Sequence, residues 1–170
     1  MSRHPLRAAA ASVVALLASL VTAQSAQADI QTFLDVGGHI TEVRVSHGPA
    51  TVGITAHDDG IDIRAYHYFW LDTNSTNPGP EYKAEVYQRT GRAHLMRVAN
   101  FDSSGIRFSC EGFRAEIHHF HEGYVKVIIP RSCISVPDRV RVAVVGYYDN
   151  EPHVVDWAPG ERRFYPWVNR

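Results

Sequence analysis

The chain holds two cysteines, Cys110 and Cys133, and both flank the same pair of candidate strands. Between them run Phe113 to His119, a turn at Phe120-His121-Glu122-Gly123, and Tyr124 to Pro130. Val125, Val127 and Ile129 alternate with Tyr124, Lys126 and Ile128, the period-two pattern of a strand with one buried face. Gly123 offers the positive φ that a tight hairpin needs. Partners across an antiparallel hairpin have position numbers of constant sum, and Cys110 and Cys133 centre between His121 and Glu122, inside the turn. Closing the hairpin therefore brings the two sulfurs together, and a disulfide is expected. In the chain-entropy account a loop of this length contributes about 3 kcal/mol.

A structural disulfide belongs to an oxidising compartment, and the N-terminus agrees. Arg3 and Arg7 precede an apolar run from Ala8 to Ala23, and Ala26-Gln27-Ala28 fits the small-x-small cleavage pattern. The run is about 16 residues, short of the roughly 20 that a spanning helix needs. The expected organisation is a signal peptide over 1–28 and a single domain over 29–170, secreted to the extracellular side, with no membrane association after cleavage. The 170-residue chain has a formal net charge of −1, and losing Arg3 and Arg7 makes it more acidic. That balance argues against nucleic acid or an anionic membrane surface as the main partner.

The rest of the chain alternates in short runs. Asp29 to Gly38 reads as an arm held down by Phe33, Leu34 and Val36. Ile40 to Ser46 and Thr51 to Ala56 make a first hairpin about His47-Gly48-Pro49-Ala50, and His57-Asp58-Asp59-Gly60 is a turn cluster. Ile61 to Asp72 is the longest strand candidate, with Ile63, Ala65, His67, Phe69 and Leu71 on one face. Asp62, Arg64, Tyr66, Tyr68, Trp70 and Asp72 fall on the other. Tyr82 to Gln88, Ala93 to Val98 and Arg139 to Tyr148 are further strands, and the aromatic tail from Val154 through Trp157, Phe164 and Trp167 should dock as a clamp over an open sheet edge. No convincing helical period follows the leader. About eight short strands with glycine and proline turns predict an all-β, antiparallel β-sandwich, jelly-roll-like, with one disulfide.

Leu71-Asp72-Thr73-Asn74 with Gly79-Pro80-Glu81-Tyr82, Ile129-Pro130-Arg131-Ser132-Cys133-Ile134, and Asp156-Trp157-Ala158-Pro159-Gly160 with Pro166-Trp167-Val168 form a set of motifs. Together they resemble a group of small secreted actinobacterial proteins whose domain is similar to DOMON-like and family 9 carbohydrate-binding sandwiches. The resemblance spans roughly 35–170. It implies the sandwich fold, export and ligand binding. The group's acidic position before the first strand is His39 here.

Four groups of residues offer chemistry, each beside a plainer role. Tyr66, Tyr68 and Trp70 share a strand face at about 6.5–7 Å spacing, a pitch suited to rings stacking on successive sugars, with Arg64, Asp62 and Asp72 to orient hydroxyls. The plainer role is core, if both faces of that strand are covered. Asp72, Asn74 and Glu81, with Thr73, Ser75 and Asn77, supply oxygens of the kind calcium takes. A second acidic group, Asp58, Asp59 and Asp62, does likewise, and the same residues also build ordinary turns.

His118, His119 and His121 lie beside the hairpin turn, where His119 and His121 share a face, but zinc or copper needs three or four converging ligands. His67, among apolar neighbours, is expected to be a hydrogen-bonded core histidine. Arg131 should cap nearby carbonyls or pair with a carboxylate. A nucleophile elbow is absent, as are a phosphate-cradling glycine loop and a spare thiol; Asp72 and Glu81 are the remaining pair for glycoside hydrolysis.

The expectation is a non-catalytic module binding a polysaccharide or cell-wall glycan through Tyr66, Tyr68, Trp70 and Arg64, with calcium as the candidate cofactor. A structural module with a protein partner is the alternative, and a metal-dependent hydrolase the third reading.

Overall fold

A computed structural model describes residues 28–59, 64–77, 79–119, 123–148 and 154–170. Residues 1–27, which hold nearly all of the expected signal peptide, and Asp62 and His121 lie outside the described residues. Two antiparallel sheets pack face to face, with no α-helix among the described residues.

The smaller sheet is built from β1 (Asp29–Leu34), β2 (Ile40–His47), β3 (Thr51–Asp58), β8 (Arg114–His118) and β9 (Gly123–Pro130). Their order is β1-β2-β3-β9-β8. The larger sheet takes β4 (Tyr66–Asp72), β5 (Tyr82–Tyr87), β6 (Arg92–Arg97), β7 (Ile106–Arg107), β10 (Arg139–Tyr148) and β11 (Val154–Ala158). Their order is β11-β10-β4-β5-β6-β7, and β12 (Val168–Asn169) pairs with the start of β10. The alternation in each run explains which face turns inward. Val43 and Val45, Val52 and Ile54, and Val125, Val127 and Ile129 meet Phe69, Leu71, Ala84, Val86, Val142 and Val144 between the sheets. Fully burying each of the Val, Ile, Leu and Phe side chains stabilises by roughly 1.5–3 kcal/mol.

The disulfide between Cys110 and Cys133 is present, with its Cα atoms 5.9 Å apart. The β8–β9 ladder pairs Arg114 with Ile128 and His118 with Tyr124. Both cysteines therefore lie beyond the ladder, and Cys133 sits in a single 3-10 turn, Arg131–Ile134. Arg131 is buried there and caps carbonyls: Nη1 donates to Pro49 O at 3.0 Å, and Nη2 donates to Pro137 O and to Val136 O.

Three expectations need correction. The arm contains a six-residue edge strand, and of its three apolar anchors Phe33 alone packs down, stacking on Tyr165 at 4.5 Å, whereas Leu34 and Val36 are 77% and 91% exposed. The central strand begins at Tyr66, since Arg64 and Ala65 are in a turn and its exit. Twelve strands, not eight, are found among the described residues, because β1, β7, β11 and β12 are edge pieces too short or too irregular to show a period.

The tail does close an edge. β11 pairs with β10 from Val144↔Ala158 to Tyr148↔Val154, and Asp156 Oδ2 accepts a 2.7 Å bond from Ile40 N of the other sheet. Gly38 leaves the space for that carboxylate, because a Cβ there would come within 2.2 Å of Asp156 Oδ1.

Candidate functional site

The larger sheet has an outer face that the sandwich does not use for joining its two layers. The register sets out its rows. Tyr147, Tyr66, Tyr87 and Arg92 lie side by side on β10, β4, β5 and β6; the next row holds Trp157, Val145, Tyr68, Glu85 and His94. A third row holds Ala143, Trp70, Lys83, Met96 and Arg107, and Arg141 lies opposite Asp72 beyond it.

This face has two halves. At the Trp70 end the loop after β6 and the tail form a roof. Phe101 meets Trp70 edge-on at 5.2 Å and Trp157 at 5.7 Å, and Phe164 lies 5.1 Å from Phe101. Trp70, Ala143 and Val145 become a second small core, with Trp70 only 3% exposed. Gly105 lets the loop turn back into β7 at φ 79°, where a Cβ would press on Val98 at 2.9 Å. Arg141 closes the same end: its Nε and Nη2 reach Asp72 Oδ2 at 2.8 and 2.6 Å. Its guanidinium lies 4.8 Å from both the Phe164 and Trp167 rings.

At the other end Tyr66, Tyr68, Tyr87 and Tyr147 are only partly buried. Tyr66 stacks on Tyr147 at 4.6 Å and on Tyr87 at 6.0 Å, and Tyr68 lies 5.4 Å from Tyr66 and 5.2 Å from Tyr147. Lys83 and Glu85 form a buried floor, Nζ to Oε1 at 2.9 Å, and the ammonium sits over the Tyr68 and Trp70 rings at 4.6 and 5.0 Å. The Tyr87 hydroxyl donates to Glu85 Oε2 at 3.3 Å. Burial first, then the Glu85 charge, pushes the Tyr68 and Tyr87 phenols above their ordinary range; burial and Tyr66 do the same to Tyr147. The hydroxyls therefore stay protonated at neutral pH and remain hydrogen-bond donors.

Of the residues expected to bind, Tyr66 and Tyr68 lie at the open end, Arg64 is exposed just before β4, and Trp70 is sealed beneath the roof. Tyr68 and Trp70 stand nearly perpendicular, 85° between planes. A row of parallel flat rings is therefore not what this strand presents: Tyr66 and Tyr68 are inclined by 48°. Sequence reasoning missed Tyr87, Tyr147, Lys83 and Glu85. The alternation of Lys83-Glu85-Tyr87 and Val145-Tyr147 was the available signal, but only the register brings them to Tyr66.

Asp72 and Glu81 do come near each other, and their oxygens are already engaged. Asp72 Oδ1 accepts from Asn74 N at 3.0 Å while Oδ2 holds Arg141. Glu81 Oε2 accepts from Thr73 N at 2.7 Å, and Asn74 Oδ1 accepts from Thr76 N and Oγ1. These are nested Asx turns, and the guanidinium occupies the place where a cation would approach Asp72. Burial and the Asp72 charge raise the Glu81 carboxyl above its usual value. Asp72 itself is fully buried and cannot reach a substrate.

Among the described residues no three His, Cys, Asp or Glu side chains gather as a metal set. His118 stacks on Tyr124 at 4.3 Å on the smaller sheet's outer face, and His119 is exposed. His67 is a core histidine as expected. Gln88 Nε2 lies 3.1 Å from its Nδ1, and Nε2 faces Asp58 Oδ2 at 2.9 Å without a well-aligned hydrogen bond. All three are buried between the sheets, so the Asp58–His67 pair has no access to a substrate. A cleft of about 490 Å³ lies nearby, lined by Gly37, Gly38, His39, Asp59 and Val154–Asp156. Its His39 ring packs on Tyr148 at 4.5 Å, and its Asp156 is committed to Ile40.

Comparison with protein-family models, with curated proteins and with solved structures finds no match for this chain.

Proposed function

We propose that this protein is an exported, non-catalytic ligand-binding β-sandwich, and that its ligand is a carbohydrate held at the tyrosine end of the larger sheet's outer face. One observation carries the reading: Tyr66, Tyr68, Tyr87 and Tyr147, from three adjacent strands, cluster with partial exposure on a face that plays no part in joining the sheets. Tyrosine combines apolar ring area with a hydroxyl that both donates and accepts, a match to a sugar's alternating C–H and O–H surface. The disulfide supports an oxidising destination.

The test is depletion from solution by insoluble cellulose, chitin, xylan and purified cell wall. Saturable depletion by one of them is expected, and Tyr66→Ala with Tyr147→Ala should abolish it without loss of cooperative melting. Undiminished binding by that folded double variant would remove the site from this face. A protein partner is the second reading, favoured by Val155, which is 50% exposed and paired with Tyr147. Tyrosine-rich patches beside apolar residues also suit protein interfaces. Under that reading no polysaccharide depletes the protein, and Val155→Asp disrupts the protein complex.

A further inference from the structure

We infer that the tyrosine end of this face takes an acidic glycan, a polymer bearing carboxylate or sulfate groups, with Arg92 and Arg107 as its anion contacts. This rests on the carbohydrate reading above and adds the ligand's charge.

Among the described residues of β4 to β7 and β10, the outer face's charges cancel in pairs except at one border. Lys83 neutralises Glu85 at 2.9 Å, and Arg141 neutralises Asp72. What is left over is Arg92, beside Tyr87, and Arg107, beside Met96. Arg92 is exposed and has no carboxylate partner among the described residues. Arg107 Nη2 comes within 3.7 Å of Glu85 Oε2, but that carboxylate is already matched by Lys83, and the Arg107 side chain is 57% exposed. His94 lies between the two arginines, and Arg89 is exposed in the turn joining β5 to β6.

Among the described residues the surplus is thus positive and sits along the edge of the phenol cluster. Guanidinium groups favour carboxylate and sulfate oxygens because they offer paired, coplanar donors. Arg92 and Arg107 are offset by four residues along β6 plus one strand, roughly 14 Å by strand rise. That offset calls for anionic groups on separate residues of one chain, rather than one small anion. Nucleic acid fits less well, because bases need open ring faces, and Tyr66 spends both faces stacking on Tyr147 and Tyr87.

Titration calorimetry on the mature protein tests this with two matched pairs: dextran sulfate against dextran, and polygalacturonate against its full methyl ester. At least one acidic member should bind about tenfold more tightly than its neutral counterpart. The preference should vanish in Arg92→Gln/Arg107→Gln and at 0.5 M salt. Equal affinity for acid and neutral forms overturns the charge assignment and leaves the carbohydrate reading in place. Binding to none of the four polymers overturns the acidic-glycan assignment, and the carbohydrate reading falls with it only if the depletion assay also finds no polymer bound. Single-stranded oligothymidylate competing better than either acidic polymer overturns the glycan in favour of nucleic acid. An unchanged preference in the double variant, with its fold confirmed by circular dichroism, overturns the residue assignment.

Discussion

Trp70 and Tyr66 are four residues apart on one strand and point to the same side of the same sheet, yet they live in different environments. Trp70 is roofed by Phe101 and by the tail that carries Trp157 and Phe164, and it behaves as core. Tyr66 stacks on Tyr147 and Tyr87 beside it, and its end of the face remains partly open. The difference comes from segments distant in sequence, one loop and one tail, that reach only half of the strand. An aromatic stripe is therefore not one object: half of it can be a second hydrophobic core and half a surface for a ligand.

Truncation on either side of that boundary should give the largest contrast. Trp70→Ala removes a fully enclosed ring and should cost about 3–5 kcal/mol. Tyr66→Ala should cost less than about half of that while losing ligand. Urea unfolding of both variants measures the pair, and equal losses would erase the distinction between the halves.

The floor beneath the boundary gives the next effect. Lys83→Met leaves Glu85 buried without its close cation and should cost about 3 kcal/mol. Adding Glu85→Gln should recover most of it. A double variant no better than the single would show that Lys83 matters for packing and not for charge.

The inter-sheet core has no open half and serves as the reference. Burial holds the His47 imidazole below its ordinary value, ahead of the Arg131 charge, and Val168 O lies 3.3 Å from Nδ1. The folded state therefore disfavours the protonated ring. This contribution is complete above the unfolded value of about 6.5 and is lost as pH falls below it, with a slope of at most about 1.4 kcal/mol per pH unit. His47→Gln should flatten stability between pH 6.5 and 5.5. An unchanged slope would place the proton uptake elsewhere.

The smallest effect belongs to the roof's outer latch, Arg162 to Asp102 at 2.5 Å, where both side chains are exposed. Arg162→Ala should cost less than about 1 kcal/mol and leave Trp70 quenching by iodide unaltered. A large rise in quenching would mean that this contact, rather than the aromatic packing, keeps the roof closed.

Much of the fold was legible because its signals are local. The Ile40–Ala56 hairpin, the Tyr124–Pro130 alternation and the cysteine pair each depend on neighbours in sequence, and each is found, although β3 runs on through His57 and Asp58, which read as a turn. Leu34 and Val36 misled because apolar type alone does not bring a partner, and no described residue packs over that edge. The site was half legible: Tyr66 and Tyr68 follow from strand parity, but Tyr87 and Tyr147 join them through non-local pairing. The Asp72–Glu81 loop shows the converse. Its side chains supply oxygens of the kind calcium takes, and Arg141, 69 residues away, pairs with Asp72.

The most direct measurement is a dextran sulfate titration followed by aromatic ¹H–¹³C NMR with the tyrosine and tryptophan rings assigned. The account predicts saturable shifts at Tyr66, Tyr87 and Tyr147, with the Trp70 indole unmoved. Saturable binding that shifts Trp70 and leaves those tyrosines in place would contradict it.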